Sequence, residues 1–148
     1  MITLRPFTPG DAPLLHKAGF ADHPPEEIAG WIAGWSAGQV NGRAFEMLGI
    51  FAEAALVGTI SLYQHTHEVV SIGPEIFPPH RRKGYARQAL SLACARAAQQ
   101  GYKIVFQQIR TDNIASIALH TSLGFSTGGQ IYTNSHGNPV NIYLKSLV

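Results

Sequence analysis

The sequence predicts an α/β (α+β) fold in which about seven strands build a central sheet and about four helices flank it. Three observations carry this. The stretch from Ala44 to Gln64 alternates in the manner of two strands joined by a tight turn. The stretches that begin at Pro25 and at Gly84 instead repeat apolar residues every three or four positions, the period of an amphipathic helix. Beyond residue 100 the two patterns alternate. With 148 residues, 45% of them hydrophobic, the chain suits one domain, residues 1–148, with a core of its own.

In order along the chain, Ile2 and Leu4 alternate with polar neighbours and predict a short first strand that breaks at Pro6. Asp11 as N-cap and Pro13 in the first turn predict a helix to about Ala18. A second helix, from about Pro25 to Ala37, follows from Ile28, Trp31, Ile32 and Trp35. The hairpin "AFEMLGIFAEAALVGTISLYQ" turns near Glu53 and Ala54, and "EVVSIGPEIF" adds a third strand. Pro74 cannot donate to a ladder, so that strand is expected to lie at an edge or to carry a bulge. A helix from Gly84 to Gln100, a strand "YKIVFQQIR", a helix from about Asn113 to Leu123 and strands near "FSTGGQIY" and "PVNIYLKSL" complete the chain. There is no internal repeat, low-complexity segment or linker.

Composition excludes several classes of function. The net charge is +2, and eleven Lys and Arg residues are too few and too scattered to coat a nucleic acid, so no nucleic-acid partner is expected. No apolar run suits a signal peptide or a membrane span, and the single cysteine, Cys94, falls in an apolar helical stripe as a buried reduced thiol. A cytoplasmic protein without a membrane partner is the expectation.

The chemistry concentrates in "HRRKGYARQALSLACARAAQQ", where Arg81, Arg82 and Lys83 stand before Gly84 at the start of a helix. A helix N-terminus presents unpaired N–H groups and partial positive charge, and a glycine there admits a ligand close to the backbone. Oriented amides, nearby cations and a missing side chain together suit a phosphate or pyrophosphate. Neither G-x-x-x-x-G-K-[ST] nor G-x-G-x-x-G is present, so the phosphate belongs to something other than a nucleotide held by those loops.

Arg81-Arg82-Lys83-Gly84-Tyr85-Ala86 fits the [QR]-x-x-G-x-[GA] signature of the GNAT superfamily of acyl-CoA-dependent N-acetyltransferases. "TDNIASIALHTSLGF" resembles that family's second motif, and "ITLRPFTPGDAPLL" its first strand and helix, so the resemblance covers essentially the whole chain. It implies a GNAT-like mixed, mostly antiparallel sheet. It also implies that Arg81, Arg82, Lys83, Gly84, Tyr85 and Ala86 hold the pyrophosphate of acetyl-CoA, and that the backbone of Ile76 and Phe77 pairs with pantetheine amides as an added strand would. Acetyl-CoA is then a co-substrate, an amine is the acceptor, no metal is needed, and a homodimer is compatible because dimers are common among similar proteins.

Asn113, Ser116 and His120 share one helical stripe that could line the cofactor groove, Asn113 doubling as a helix N-cap. His120 stands where many relatives carry a tyrosine that protonates the departing thiolate. An imidazolium, with an ordinary pKa of about 6.5, is a stronger acid than a thiol at about 8.5, so His120 is a candidate acid. Glu75 alternates onto the face opposite Ile72 and Ile76 beside the expected thioester position, which makes it the candidate base, with Glu46 as second choice. His65 and His67 bring no third ligand with them and read as a solvated turn.

In this family the first two helices and the loop between the last two strands shape the acceptor site. That loop, "YTNSHGNPVN", has no carboxylate, which favours a small amine or a peptide N-terminus over a polycation. The function expected is direct acetyl transfer from acetyl-CoA to a primary amine. The alternative is a catalytically weak acyl-CoA-binding module of the same fold.

Overall fold

The computed structural model describes residues 1–148. Its strands are β1 (Ile2–Pro6), β2 (Gln39–Val40), β3 (Arg43–Ala52), β4 (Ala55–Gln64), β5 (Val69–Ile76), β6 (Ile104–Arg110), β7 (Ser126–Thr133) and β8 (Pro139–Ser146). Its helices are α1 (Ala12–Gly19), α2 (Pro25–Ser36), α3 (Tyr85–Gln99) and α4 (Ile114–Ser122). The sheet runs β1-β3-β4-β5-β6-β8-β7, with β2 attached to β3, and every pairing is antiparallel except β5 with β6. The eighth strand, absent from the expected seven, is the short β2. It folds back on β3 through Asn41 and Gly42, both at positive φ (53° and 75°), the geometry of a two-residue hairpin turn. No helix is long and apolar enough to cross a membrane.

Strand alternation sends side chains to opposite faces, and each face has its own core. On one, Leu48, Ile50, Ile60, Leu62, Val70 and Ile72 meet the stripe Ala89, Leu90, Ala93, Cys94 and Ala97 of α3. On the other, Leu15 of α1 and Ile28 and Ile32 of α2 close over Phe7, Phe51 and Phe77. Cys94 is buried, and burial pushes its thiol above the ordinary value. Strand β7 is exposed along its whole length.

Asp11 precedes α1 as expected but does not cap it with its side chain. Its carboxylate accepts from Arg5 at 2.9 and 3.1 Å and from the Thr8 N–H at 2.7 Å, closing the turn between β1 and α1. These hydrogen bonds, Arg5 first, outweigh burial and hold the Asp11 carboxyl at about 2. A folded-state value below the unfolded one stabilises the fold above pH 3.8, and that contribution is lost as pH falls toward about 2. With Arg5 partly open to solvent and screening the pair, Asp11→Ala should cost about 1–2 kcal/mol at pH 7. Chemical unfolding at pH 7 and near pH 2 tests this, since the difference between the two proteins should close at the lower pH.

Strand β5 is neither an edge strand nor bulged at Pro74, contrary to the sequence expectation. It lies inside the sheet, but pairs with β6 only at Val69↔Ile104 and Val70↔Val105, and beyond those positions the two strands part. The Ile72 N–H and C=O point toward β6, so by alternation the missing N–H of Pro74 also faces the split, where no ladder exists to be broken. The irregularity lies instead in β4. The register against β3 shifts at Val57, between the pairs Ile50↔Gly58 and Phe51↔Leu56.

Candidate active site

The parting of β5 from β6 opens a cleft of about 760 Å³ between the end of β5, the start of α3 and one face of α4. Residues 78–80 form a single 3-10 turn that carries the chain from β5 toward α3. Arg81 then reaches back, its Nε donating to the Ile76 carbonyl at 2.9 Å. Arg82 is at φ 64° and Gly84 at φ 80°, so the chain turns sharply twice before α3 begins. Gly84 is the N-cap, and a Cβ there would meet nothing within 4 Å; the space in front of the first-turn amides is open.

The structure brings Glu75, Ile76, Arg81, Arg82, Gly84, Tyr85, Ala86, Asn113, Ser116 and His120 together around this one cleft. The alternation of β5 turns the Ile76 N–H to the split side, which leaves it available to an extended ligand. Pro74, His80, Arg87, Ala115 and Leu119 also line the cleft, though the sequence does not mark them as site residues. Arg87, in the first turn of α3, bridges to α4 through Ser122 Oγ at 3.2 Å; its i, i+3 spacing from Gly84 could have suggested its place on the cleft face of the helix, though not that partner.

Four expectations about the site need correction, that for His120 among them. The backbone of Phe77, expected to pair with the ligand, is already engaged: its N–H is bound to the Val57 carbonyl at 2.8 Å, its carbonyl accepts from the His80 N–H at 2.9 Å, and the residue is 2% exposed in the core beneath α1. Lys83 is exposed and does not line the cleft, whose arginines are Arg81, Arg82 and Arg87. Glu46 is outside the cleft altogether. Its carboxylate takes Arg96 at 2.7 and 3.2 Å and Gln100 at 2.6 Å, and although burial opposes it, these partners hold the group below its ordinary value.

His120 sits in the cleft wall but is 3% exposed and fully committed. Its Nδ1 faces the Ser116 carbonyl at 2.8 Å, an acceptor, so Nδ1 carries the hydrogen. Its Nε2 faces the Gln107 side-chain nitrogen, a donor, at 3.2 Å, so Nε2 is the bare acceptor. Burial pushes the imidazole below its ordinary value, more than the Ser116 carbonyl raises it. A neutral ring whose bare nitrogen is already occupied is a poor proton donor, and the acid role expected of His120 does not fit.

Asn113 caps α4, its Oδ1 accepting from the Ser116 N–H at 3.1 Å, while remaining on the cleft rim. His65 donates from Nε2 to Ser71 Oγ at 2.7 Å, since the Ser71 hydroxyl is directed at the Phe106 carbonyl. No group of three or more His, Cys, Asp or Glu side chains is assembled to hold an ion.

Comparison with known proteins bears on the family and the fold. Residues 1–126 match the family model described as an acetyltransferase (GNAT) domain. The protein named uncharacterized N-acetyltransferase YoaA, of Bacillus subtilis (strain 168), is 31% identical over 98 residues, covering 63% of this chain and 55% of that protein. The chain thus spans little more than half the length of that curated relative. Among solved structures, the acetyl transferase that modifies the N-terminal serine of ribosomal protein L7/L12 in Salmonella typhimurium superimposes with a TM-score of 0.79 at 20% identity, over 98% of this chain and 94% of that one. The microcin C7 self-immunity acetyltransferase MccE, in complex with acetyl-CoA and AMP, superimposes with a TM-score of 0.82 at 18% identity, over 98% and 92%. At such identities the structural likeness speaks for the fold, while the sequence match from residue 1 to 126 speaks for descent. The chain belongs to the GNAT family of acetyltransferases.

Proposed function

We propose that this chain transfers an acetyl group from acetyl-CoA directly to the primary amine of a small molecule or of a peptide N-terminus, as one domain working in the cytoplasm. One observation carries the reading: the cleft joins the first-turn residues of α3 and three arginines, Arg81, Arg82 and Arg87, to the unpaired side of β5 and Glu75. The arginines and the Tyr85 and Ala86 amides suit a pyrophosphate, and the Ile76 N–H suits a pantetheine carbonyl. Glu75, exposed at the mouth, would take the proton that the amine loses on attack, directly or through water. The amide forms as the carbon–sulfur bond breaks, and the departing thiolate takes its proton from solvent, His120 being unsuited to supply it.

The acceptor side also has support. A second hollow, of about 870 Å³, lies across β6, β8 and β7 and is lined without a charged side chain. Its Phe106 and Gln108 are on the same sheet face as Glu75, following the 72↔107 level of β5 and β6. A neutral acceptor body fits such a lining better than a polycation. The similar structure whose enzyme modifies an N-terminal serine is consistent with an α-amine acceptor.

The neutral, engaged His120 also favours a second reading, an acyl-CoA-binding module with weak chemistry. Thermal unfolding with and without acetyl-CoA, followed by an amine screen, separates the two. Ligand at about 100 times its Kd should add about 2.7 kcal/mol, a shift of several degrees. An Arg81→Ala, Gly84→Asp double variant should lose that shift, because aspartate tolerates positive φ but sets a carboxylate against the pyrophosphate. Absence of a shift in the natural protein removes the case for transfer, and a shift without turnover of any amine favours the binding module.

A further inference from the structure

We propose that Gln107 is a positioning residue for the cleft: its side-chain amide replaces the missing backbone partner of β5 and ties that strand to α4 through His120. The proposal rests on the cleft being the acetyl-CoA site.

Backbone pairing between β5 and β6 ends at Val70↔Val105, and Ile72 is the next residue of β5 to turn both its polar groups toward β6. Gln107 meets both of them: Oε1 accepts from the Ile72 N–H at 2.9 Å, and Nε2 donates to the Ile72 carbonyl at 2.5 Å. A primary amide has the donor and acceptor of a peptide group, so it can complete a ladder rung from a side chain, and it has one hydrogen more. That remaining hydrogen is directed at His120 Nε2, 3.2 Å away. The amide orientation is dictated by Ile72, because the flipped amide would set two acceptors and two donors against each other.

The consequence reaches both walls of the cleft. Glu75 and Ile76 follow Ile72 on the same strand by three and four residues, and Asn113 and Ser116 precede His120 on the opposing helix. With Gln107 6% and His120 3% exposed, and no buried side-chain polar atom left unpaired, the link is shielded from competing water. Gln107 does not line the cleft itself. It acts by setting how far β5 stands from α4, and by holding His120 as the Nδ1–H tautomer.

Two variants test this. Gln107→Leu keeps the volume but removes every bond, and Gln107→Glu keeps the shape and the bond from the Ile72 N–H while setting a carboxylate oxygen, in place of the donor, against both His120 and the Ile72 carbonyl. Acetyl-CoA affinity should fall at least tenfold in folded Gln107→Leu, and amide exchange should quicken at Ile72 while Val70 stays protected. Imidazole nitrogen NMR should show His120 as the Nδ1–H form in the natural protein and as the doubly protonated ring near neutral pH in Gln107→Glu. A purely structural role would lower the unfolding temperature of both variants without moving the His120 resonances or the Ile72 exchange relative to Val70. That outcome, in either variant that folds, overturns the proposal. If the natural protein binds no acetyl-CoA, the reading of the cleft fails, whereas the exchange and NMR results still decide the Gln107 link.

Discussion

Replacing Gly58 with alanine should destabilise the protein by about 3 kcal/mol and weaken acetyl-CoA binding in the fraction that stays folded. Gly58 lies in β4 opposite Ile76, and a Cβ built on it would stand 2.1 Å from the Glu75 carbonyl oxygen and 3.0 Å from the Ile76 Cα. Both obstacles are backbone, so no rotamer change relieves them. The strand must move, and it is the strand that carries the candidate base and the open N–H of Ile76. The neighbouring Phe77 N–H to Val57 carbonyl bond, at 2.8 Å, would be strained in the same displacement. Gly34→Ala is the matched control: it lies in α2 with nothing within 4 Å of a new Cβ, and should stabilise by about 0.5–1 kcal/mol. Denaturant midpoints of the three proteins at equal slope give the comparison. A Gly58→Ala protein as stable as the natural chain would show that β5 can shift freely, and would remove the argument for a rigid cleft wall.

Glu75→Gln should lower kcat by about 10²–10⁴-fold while leaving the affinity for acetyl-CoA unchanged. The carboxylate is exposed, so removing its charge disturbs little packing. The deficit should depend on pH in one direction. As pH rises toward the ordinary pKa of the acceptor amine, more acceptor arrives already deprotonated, and the gap between variant and natural enzyme should narrow. An unchanged kcat across that range would pass the role of base to solvent.

The proposed anion site was legible in the sequence because everything that makes it is local. Arg81, Arg82 and Gly84 adjoin in the chain, and the stripe from Ala89 to Ala97 announces the helix they precede. The misassignments share an opposite cause. Phe77 reads as a ligand residue only because its neighbour Ile76 does; that its N–H is spent on Val57 depends on the pairing of β4 with β5. Glu46 looked available until Arg96 and Gln100, fifty and fifty-four residues away, were brought to it. The state of His120 is set by Gln107 on another element. Pro74 implied an edge, and the structure supplies a local one inside the sheet, which only the strand order could reveal. Asn41-Gly42 was different: a local turn signal was present in the sequence and β2 could have been read from it.

Strand β8 follows β7 in the chain but separates it from β6 in the sheet. During synthesis β7 therefore leaves the ribosome before the strand it pairs with has been made, and β6 must wait for that same strand on its open side. Strands that wait unpaired are the usual seeds of aggregation. The composition of β7, "STGGQIYT", answers that hazard: two glycines and four polar residues leave little to template a second chain, and all of it stays wet even after docking. Vectorial folding thus favours a polar β7 whatever the chemistry in the cleft requires, and apolar substitutions at Gly128 or Gln130 should reduce soluble yield more than they reduce the stability of the protein that does fold.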